Sequence, residues 1–419
     1  MNLCFRFMMA GISFKMRATR RVPQSIWYFT NGLIPLMNFM EKRLVNYPVF
    51  EKINTPAYVA DEAKLIKNLE ILKSVREAAD CKILLAQKAF SMFSLYPLME
   101  GYLDGTTASG LFEARLGREE FKGEVHVFSP AYKDSEFDEI AVVSDHIVFN
   151  SVAEVMRYHD RCVGKSIGLR VNPECSTQET AIYDPCAPGS RLGTTFDNFD
   201  ESVLRYIDGL HFHTLCEQGS DALEVTLKAF EEKFGKYISG LKWVNFGGGH
   251  HITRDDYDRE LLIKLIKDFK TRYGVEVYLE PGEAIALNAG YLVTRVLDVI
   301  HNGIDIAILD ASAACHMPDV LEMPYRPPLF ASGVKGEKKY DYRLSSCTCL
   351  AGDIIGDYSF DEPLKRGDTL VFEDMAIYSM VKNNTFNGMC LPDIGVLDRD
   401  GQYRVIKSFG YNDFKERLS

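Results

Sequence analysis

The sequence predicts an α/β fold, a TIM-like (β/α)8 barrel with a C-terminal mostly-β domain. Eight short apolar runs recur between residues 82 and 282, most of them separated by stretches of helical periodicity. Strand–helix alternation calls for a parallel sheet, and eight such units close naturally into a barrel. Beyond about residue 290 the helical pattern largely disappears, and short alternating pieces with Gly and Pro take over. A doubly wound open sheet is the alternative on periodicity alone.

Residues 1–39 form an extension set aside from the fold. They carry Arg6, Lys15, Arg17, Arg20 and Arg21 and no acid, with apolar pieces at 8–14 and 26–39. A signal peptide would place its charges before one apolar run, whereas here they fall between two imperfect ones. The segment reads as dispensable, or as a start assigned too early, with Met37 or Met40 as the true beginning. Residues 40–59 are expected to join the β domain.

The barrel is expected over 60–290. Asp61 can cap a helix whose apolar positions are Leu65, Leu69, Leu72 and Val75. Then come the runs KILLAQK (82–88), DGTTAS (104–109), EVHVFS (124–129), HIVFNS (146–151), SIGLRVN (166–172), GLHFHT (209–214), KWVNFG (242–247) and EVYLEPG (276–282). The clearest helices are 111–121, 152–161, 221–238 and 257–273. A long Pro/Gly-rich loop, DPCAPGSRLG (184–193), interrupts the pattern; such loops in compact domains are functional or disordered. The pieces YLVTRVLDVI, DIAILDAS, TLVFEDMAIYSMV and YRVIKSF then place the β domain at 291–419.

Composition narrows the function. A formal charge of -11 over 419 residues argues against a nucleic-acid binder and suits cationic small substrates. No apolar run of about 20 residues is present to span a bilayer. Ten scattered cysteines in a chain able to bury a full core read as reduced thiols, which points to the cytoplasm. Cys347-x-Cys349 near Cys390 raises zinc, but the spacing is not that of a Cys-x2-Cys knuckle, so no metal is expected.

A barrel carries its chemistry at the carboxyl ends of its strands, and the unusual residues cluster there. Lys88 ends the first run, Ser109 the second and His213 the sixth; Gly247-Gly248-Gly249 closes the seventh and Glu280-Pro281-Gly282-Glu283 the eighth. Each has a plain structural reading: a solvated cap, a packed histidine, a glycine turn, a turn carboxylate. A lysine in a barrel mouth nevertheless loses hydration and moves toward the neutral amine that attacks carbonyls. Glycines let backbone approach an anion. A carboxylate can hold a proton on a heteroaromatic nitrogen. Amine, glycines, imidazole and carboxylate together match pyridoxal 5'-phosphate (PLP). A phosphosugar aldolase working through a lysine matches only two of the four.

The motifs ILLAQKAF, GLHFHT, NFGGGHH, EPGEAI and SCTCLAGD, with Tyr378 downstream, resemble the alanine-racemase-fold PLP decarboxylases from about residue 54 onward. That group includes ornithine, diaminopimelate and biosynthetic arginine decarboxylases. The stretches DPCAPGSRLG, HFHTLCE and HMPDVLEMPYRP look like its carboxynorspermidine/carboxyspermidine branch, except that Asp184 replaces the usual Asn. The resemblance implies a homodimer with shared active sites and a carboxylated polyamine as substrate. It implies Lys88 as the cofactor-carrying lysine, His213 stacked on the ring, and Glu280 at the ring nitrogen. Gly248 and Gly249 would lie at the phosphate with Tyr378 closing over it, and Cys349 would come from the partner subunit.

Two departures from the wider group matter. Glu283 stands where ornithine and diaminopimelate enzymes usually carry Arg, and Cys216 stands where they often carry Ser. A glutamate beside the cofactor suits an amine. Asp319, Glu322 and Asp353 are further candidate substrate contacts. A diaminopimelate or other basic amino-acid decarboxylase is the alternative. A non-catalytic regulator of the same fold is a second one, but such relatives typically lose the lysine or the cysteine kept here as Lys88 and Cys349.

Overall fold

A computed structural model describes residues 47–419. The chain divides into two units, Met1–Tyr47 and Pro48–Ser419, and all that follows concerns the second. The readings of the 1–39 extension, and of residues 40–46 as part of the β domain, fall outside the described residues.

All eight apolar runs form strands. After β1 (Ala57–Asp61) come β2 (Lys82–Ala86), β3 (Gly105–Ala108), β4 (Glu124–Phe128), β5 (His146–Phe149) and β6 (Ser166–Asn172). The short β7 (Thr194–Thr195) is followed by β8 (Gly209–His211), β9 (Trp243–Asn245) and β10 (Glu276–Leu279). Strands β2 to β6 and β8 to β10 pair in parallel, in chain order. Tyr278 of β10 lies against Lys82 of β2, which closes the barrel.

The strands stop earlier than the apolar runs do. Ladder-like bonds continue one residue further, with the Gln87 N–H donating to Thr107 O and the Phe212 N–H to Asn245 O. Lys88 and His213 lie beyond those bonds. Their backbones have left the sheet where it flares into the mouth.

Helices α1 (Glu62–Ala79), α2 (Leu111–Glu120), α3 (Asp134–Val143), α4 (Val152–Tyr158), α5 (Ser220–Phe234) and α6 (Arg259–Tyr273) alternate with the strands. The Asp61 carboxylate accepts the Lys64 N–H at 3.1 Å, capping α1. Leu65, Leu69, Leu72 and Val75 are at most 1% exposed, and burying each such side chain stabilises by roughly 1.5–3 kcal/mol. Ser151 caps α4 and Asp258 caps α6 in the same way.

Inside the barrel Leu84, Val148, Trp243 and Tyr278 pack as one cluster. Trp243 explains two strand glycines: a Cβ on Gly168 or Gly209 would come within 2.4 or 2.2 Å of its ring. Toward the amino ends, His126 and His146 stack at 3.9 Å, and Glu124 contacts His126, Lys82 and the Tyr278 hydroxyl. This polar floor leaves the carboxyl-end mouth for the site.

The β domain adds β11 (Gly290–His301), β12 (Asp305–Leu309), β13 (Tyr340–Ser346), β14 (Ile354–Phe360), β15 (Thr369–Glu373), β16 (Asp393–Leu397) and β17 (Tyr403–Lys407). The sheet order is β14-β13-β12-β11-β1-β16-β17, with β15 also on β11. Every residue of β1 is buried, as a central strand requires; β1 runs antiparallel to β11 and parallel to β16. Among the described residues no helix is long and apolar enough to cross a membrane.

Candidate active site

The carboxyl ends of the barrel strands open onto a cavity of about 1120 Å3 lined by Lys88, His213, Gly248, Gly249, Glu280 and Glu283, with Tyr378 and Asp319 from beyond the barrel. The sequence-selected residues Ser109, Glu322, Cys349 and Asp353 are not part of this lining.

Lys88 follows the end of β2. Its side chain opens to the cavity but is walled by protein, and this loss of bulk water, followed by the Arg170 charge, pushes its pKa below 10.5. Glu280 and Glu113 act against that shift. The neutral amine is therefore more available than in an ordinary lysine.

Burial, then the charges of Lys88 and Arg170, hold the His213 imidazole well below its usual pKa, so it is neutral. The Gly248 N–H donates to His213 Nδ1 at 3.1 Å. An amide N–H only donates, so Nδ1 is the acceptor and the ring proton resides on Nε2.

Glu280 is 8% exposed. Burial alone would raise its pKa, but His211, His126, the Asn245 amide and Lys88 outweigh it and keep the carboxylate ionised. Asn245 Nδ2 donates to Oε1 at 2.8 Å. His211 Nε2 stands 3.6 Å from Oε2, too far for a hydrogen bond, and neither ring nitrogen of His211 has another partner. His211 itself is pushed down to about 4 by burial.

The glycines are bare because the strand-end loops crowd together. A Cβ on Gly248 would lie 2.6 Å from Glu280 O, and one on Gly249 2.1 Å from Leu215 O. Gly249 also has φ +80°, a region that favours glycine. Tyr378 hangs over the turn after β2, its N–H donating to Ala89 O at 2.8 Å. Its hydroxyl would lie 3.7 Å from a Cβ on Gly282.

Three of the candidate substrate contacts take other partners. Asp319 reaches the cavity, but its carboxylate and that of Glu322 both hold the Lys382 ammonium. Asp353 is 1% exposed, with its carboxylate taken by the hydroxyls of Ser312, Ser346 and Thr348 and the N–H groups of Ala313 and Ala314. The sequence reading of Asp353 as a substrate ligand is thus corrected: it fastens the Cys347–Cys349 turn onto the sheet. Cys349 itself is exposed. Among the described residues the groups close enough to hold a metal are Glu124/His126/His146, His211/His213/Glu280 and Glu217/His251/Glu283; Cys347 and Cys349 belong to none of them.

A family model, that of the pyridoxal-dependent decarboxylase C-terminal sheet domain, matches residues 57–376. The chain belongs to the pyridoxal-dependent decarboxylases. It is 47% identical over 379 residues to a carboxynorspermidine/carboxyspermidine decarboxylase of Campylobacter jejuni subsp. jejuni, covering 88% of this chain and 99% of the relative. A carboxyaminopropylagmatine decarboxylase of Synechocystis sp. is 40% identical, with 91% of this chain and all of the relative covered. The crystal structure of a carboxynorspermidine decarboxylase from Campylobacter jejuni, complexed with norspermidine, superposes with a TM-score of 0.81 at 46% identity, covering 87% of this chain and 100% of that one.

This decarboxylase uses PLP, and the cavity fits that cofactor. Glu280 Oε2 is a buried anionic acceptor with spare capacity, the partner a protonated ring nitrogen needs. Gly248 and Gly249 let the strand-end backbone pack tightly at the cavity wall, where a Cβ would strike Glu280 O or Leu215 O, so that backbone rather than a side chain faces a bound phosphate. Lys88 supplies an amine with depressed basicity.

The decarboxylase cavity also holds residues that sequence reasoning passed over: Arg170, Glu217, His251 and Asp374. Arg170 did leave a signal, as a charge inside the otherwise apolar run SIGLRVN; it is 5% exposed and lies over the Phe128 ring at 4.6 Å. Glu217 and Asp374 left none.

Proposed function

We propose that this enzyme removes CO2 from carboxynorspermidine and carboxyspermidine to give norspermidine and spermidine. The observation that carries this reading is the acidic wall of the cavity. Glu283 faces the space into which Lys88 projects, where a cation-binding carboxylate suits an amine-rich substrate. The Campylobacter relatives, one of them bound to norspermidine, support the same choice. The enzyme works as a cytoplasmic homodimer with shared sites. Cys349 is exposed and absent from its own chain's cavity, which supports delivery into the cavity of a second copy.

When bound, PLP supplies an aldehyde that captures the substrate amine and a conjugated ring that accepts the electron pair left by departing CO2. Lys88 would hold the cofactor until substrate arrives, the loss of bulk water around its amine keeping it available for exchange. Glu280 would keep a proton on the ring nitrogen, with the Asn245 amide fixing that carboxylate in place. His213 would pack against the ring; its Nδ1 is spent on the Gly248 N–H, so its role is positional. Gly248 and Gly249 would serve the phosphate by letting the strand-end backbone run close to it, since a side chain at either would strike Glu280 O or Leu215 O. Tyr378, which lines the same cavity, would close over that end. Cys349 of the second copy donates the proton that replaces CO2 on Cα.

The test is CO2 release from carboxynorspermidine, carboxyspermidine, carboxyaminopropylagmatine, diaminopimelate and ornithine. The first two should give the highest kcat/KM. Diaminopimelate as the best substrate would overturn the assignment. One methylene separates the first two, worth roughly 1–3 kcal/mol in a fitted pocket, so their ranking is a finer outcome of the same panel.

A further inference from the structure

Apart from Glu280, which serves the ring nitrogen, and Asp184 on the 184–193 loop, the carboxylates facing the cavity fall into two groups that differ in what answers their charge. Asp319, with Glu322, holds the Lys382 ammonium, so that group is neutralised by the chain's own cation. Glu217, Glu283 and Asp374 form the other group. Among the described residues no lysine or arginine is ion-paired with any of these three, and the carboxylate oxygens of Glu217 and Glu283 and a ring nitrogen of His251 lie within 4.8 Å of one another.

His251 makes this more than a cluster of acids. It is 7% exposed, and its Nε2 points into the group, 3.3 Å from Glu283 Oε1, yet has no hydrogen-bond partner. Its Nδ1 faces the Arg254 guanidinium at 3.3 Å. Arginine can only donate, so in the neutral ring Nε2 carries the proton. A buried donor left without a partner is costly, which marks a site completed by something else. Two adjacent carboxylates require a shared proton or a cation between them.

We propose that Glu217 and Glu283, backed by Asp374 and oriented by His251, hold the substrate's ammonium groups remote from the reacting carbon, while Lys382 removes Asp319 and Glu322 from that task. The proposal rests on the carboxylated-polyamine reading and adds to it which acids read the chain. Glu217 is exposed to the open cavity, yet partial loss of water around its carboxyl and the neighbouring Glu283 push it up to about 7. Burial, with Glu283 again opposing ionisation, pushes Asp374 up to about 6. Both shifts fit carboxylates that await a cation. An arriving ammonium lets the group ionise fully, and His251 Nε2–H can then close on Glu283.

The test compares holoenzyme variants Glu217→Gln, Asp374→Asn and Glu322→Gln. It measures kcat and KM for carboxynorspermidine and, by calorimetry, norspermidine affinity. Charge-assisted hydrogen bonds of this kind predict that Glu217→Gln raises KM and weakens norspermidine about tenfold or more, with kcat changed far less. Asp374→Asn should act in the same direction, with the visible cofactor absorbance intact in both. A larger KM rise in Glu322→Gln than in Glu217→Gln, or unchanged norspermidine affinity in Glu217→Gln, would overturn the proposal. Wild-type enzyme that prefers diaminopimelate would instead overturn the substrate reading, so the two failures are distinct.

Discussion

The Asn245 side chain donates to Glu280 Oε1 at 2.8 Å, deep in the barrel mouth, and leaves Oε2 3.6 Å from His211 Nε2, beyond hydrogen-bond reach. One oxygen is thereby fixed while the other keeps its capacity to accept. Glu280→Gln keeps the shape and loses the charge, so the ring nitrogen is no longer held protonated. Removing such preorganised stabilisation lowers kcat on the order of 100-fold, with KM nearly unchanged. Steady-state kinetics with a pH profile checks this; a kcat within a few-fold of wild type would sink the assigned role.

Lys88→Ala should abolish the visible absorbance that borohydride removes from the wild-type protein. Unchanged absorbance in the variant would show that another amine carries the cofactor.

Cys349 offers a test of shared sites. Lys88→Ala and Cys349→Ala homodimers should each be nearly inactive. Co-refolded or co-expressed, they form mixed dimers with one intact site, restoring about a quarter of the wild-type activity by random pairing. No recovery in verified mixed dimers would place Cys349 in its own chain's site.

Norspermidine binding should weaken as pH falls. Glu217 is pushed up to about 7 and Asp374 to about 6, so lowering the pH through that window adds protons and removes the negative charge that attracts an ammonium. His251 works in the opposite direction at both, with Lys64 and the Asn288 N–H also doing so at Asp374; Glu283 adds to the rise at both, and Asp374 adds to it at Glu217. Calorimetric titrations from pH 8 to pH 5.5 should show the loss centred between about pH 6 and 7. Glu217→Gln should flatten the upper part of the curve.

Gly209→Ala tests the barrel interior. Its Cβ would enter the Trp243 ring at 2.2 Å, and overpacking of this kind costs about 1–3 kcal/mol. Thermal melts should show a lowered Tm. A melt matching wild type would mean that Trp243 moves freely, against its 3% exposure.

The sequence by itself determined the barrel, because strand and helix periodicities are local and each run fixes its own element. It also determined which residues meet in the mouth. Lys88, His213 and Glu280 each follow a barrel strand, and closure of the barrel brings strand ends together whatever their separation in the chain. Tertiary structure alone decided how the acids divide. Lys382 reaches across about sixty residues of sequence to take Asp319 and Glu322. Asp353 is consumed by hydroxyls contributed from separate loops, and Glu217 comes to lie against Glu283 although 66 positions apart. A carboxylate's role depends on which charge lies within a few ångströms of it, and no local pattern in the chain records that distance.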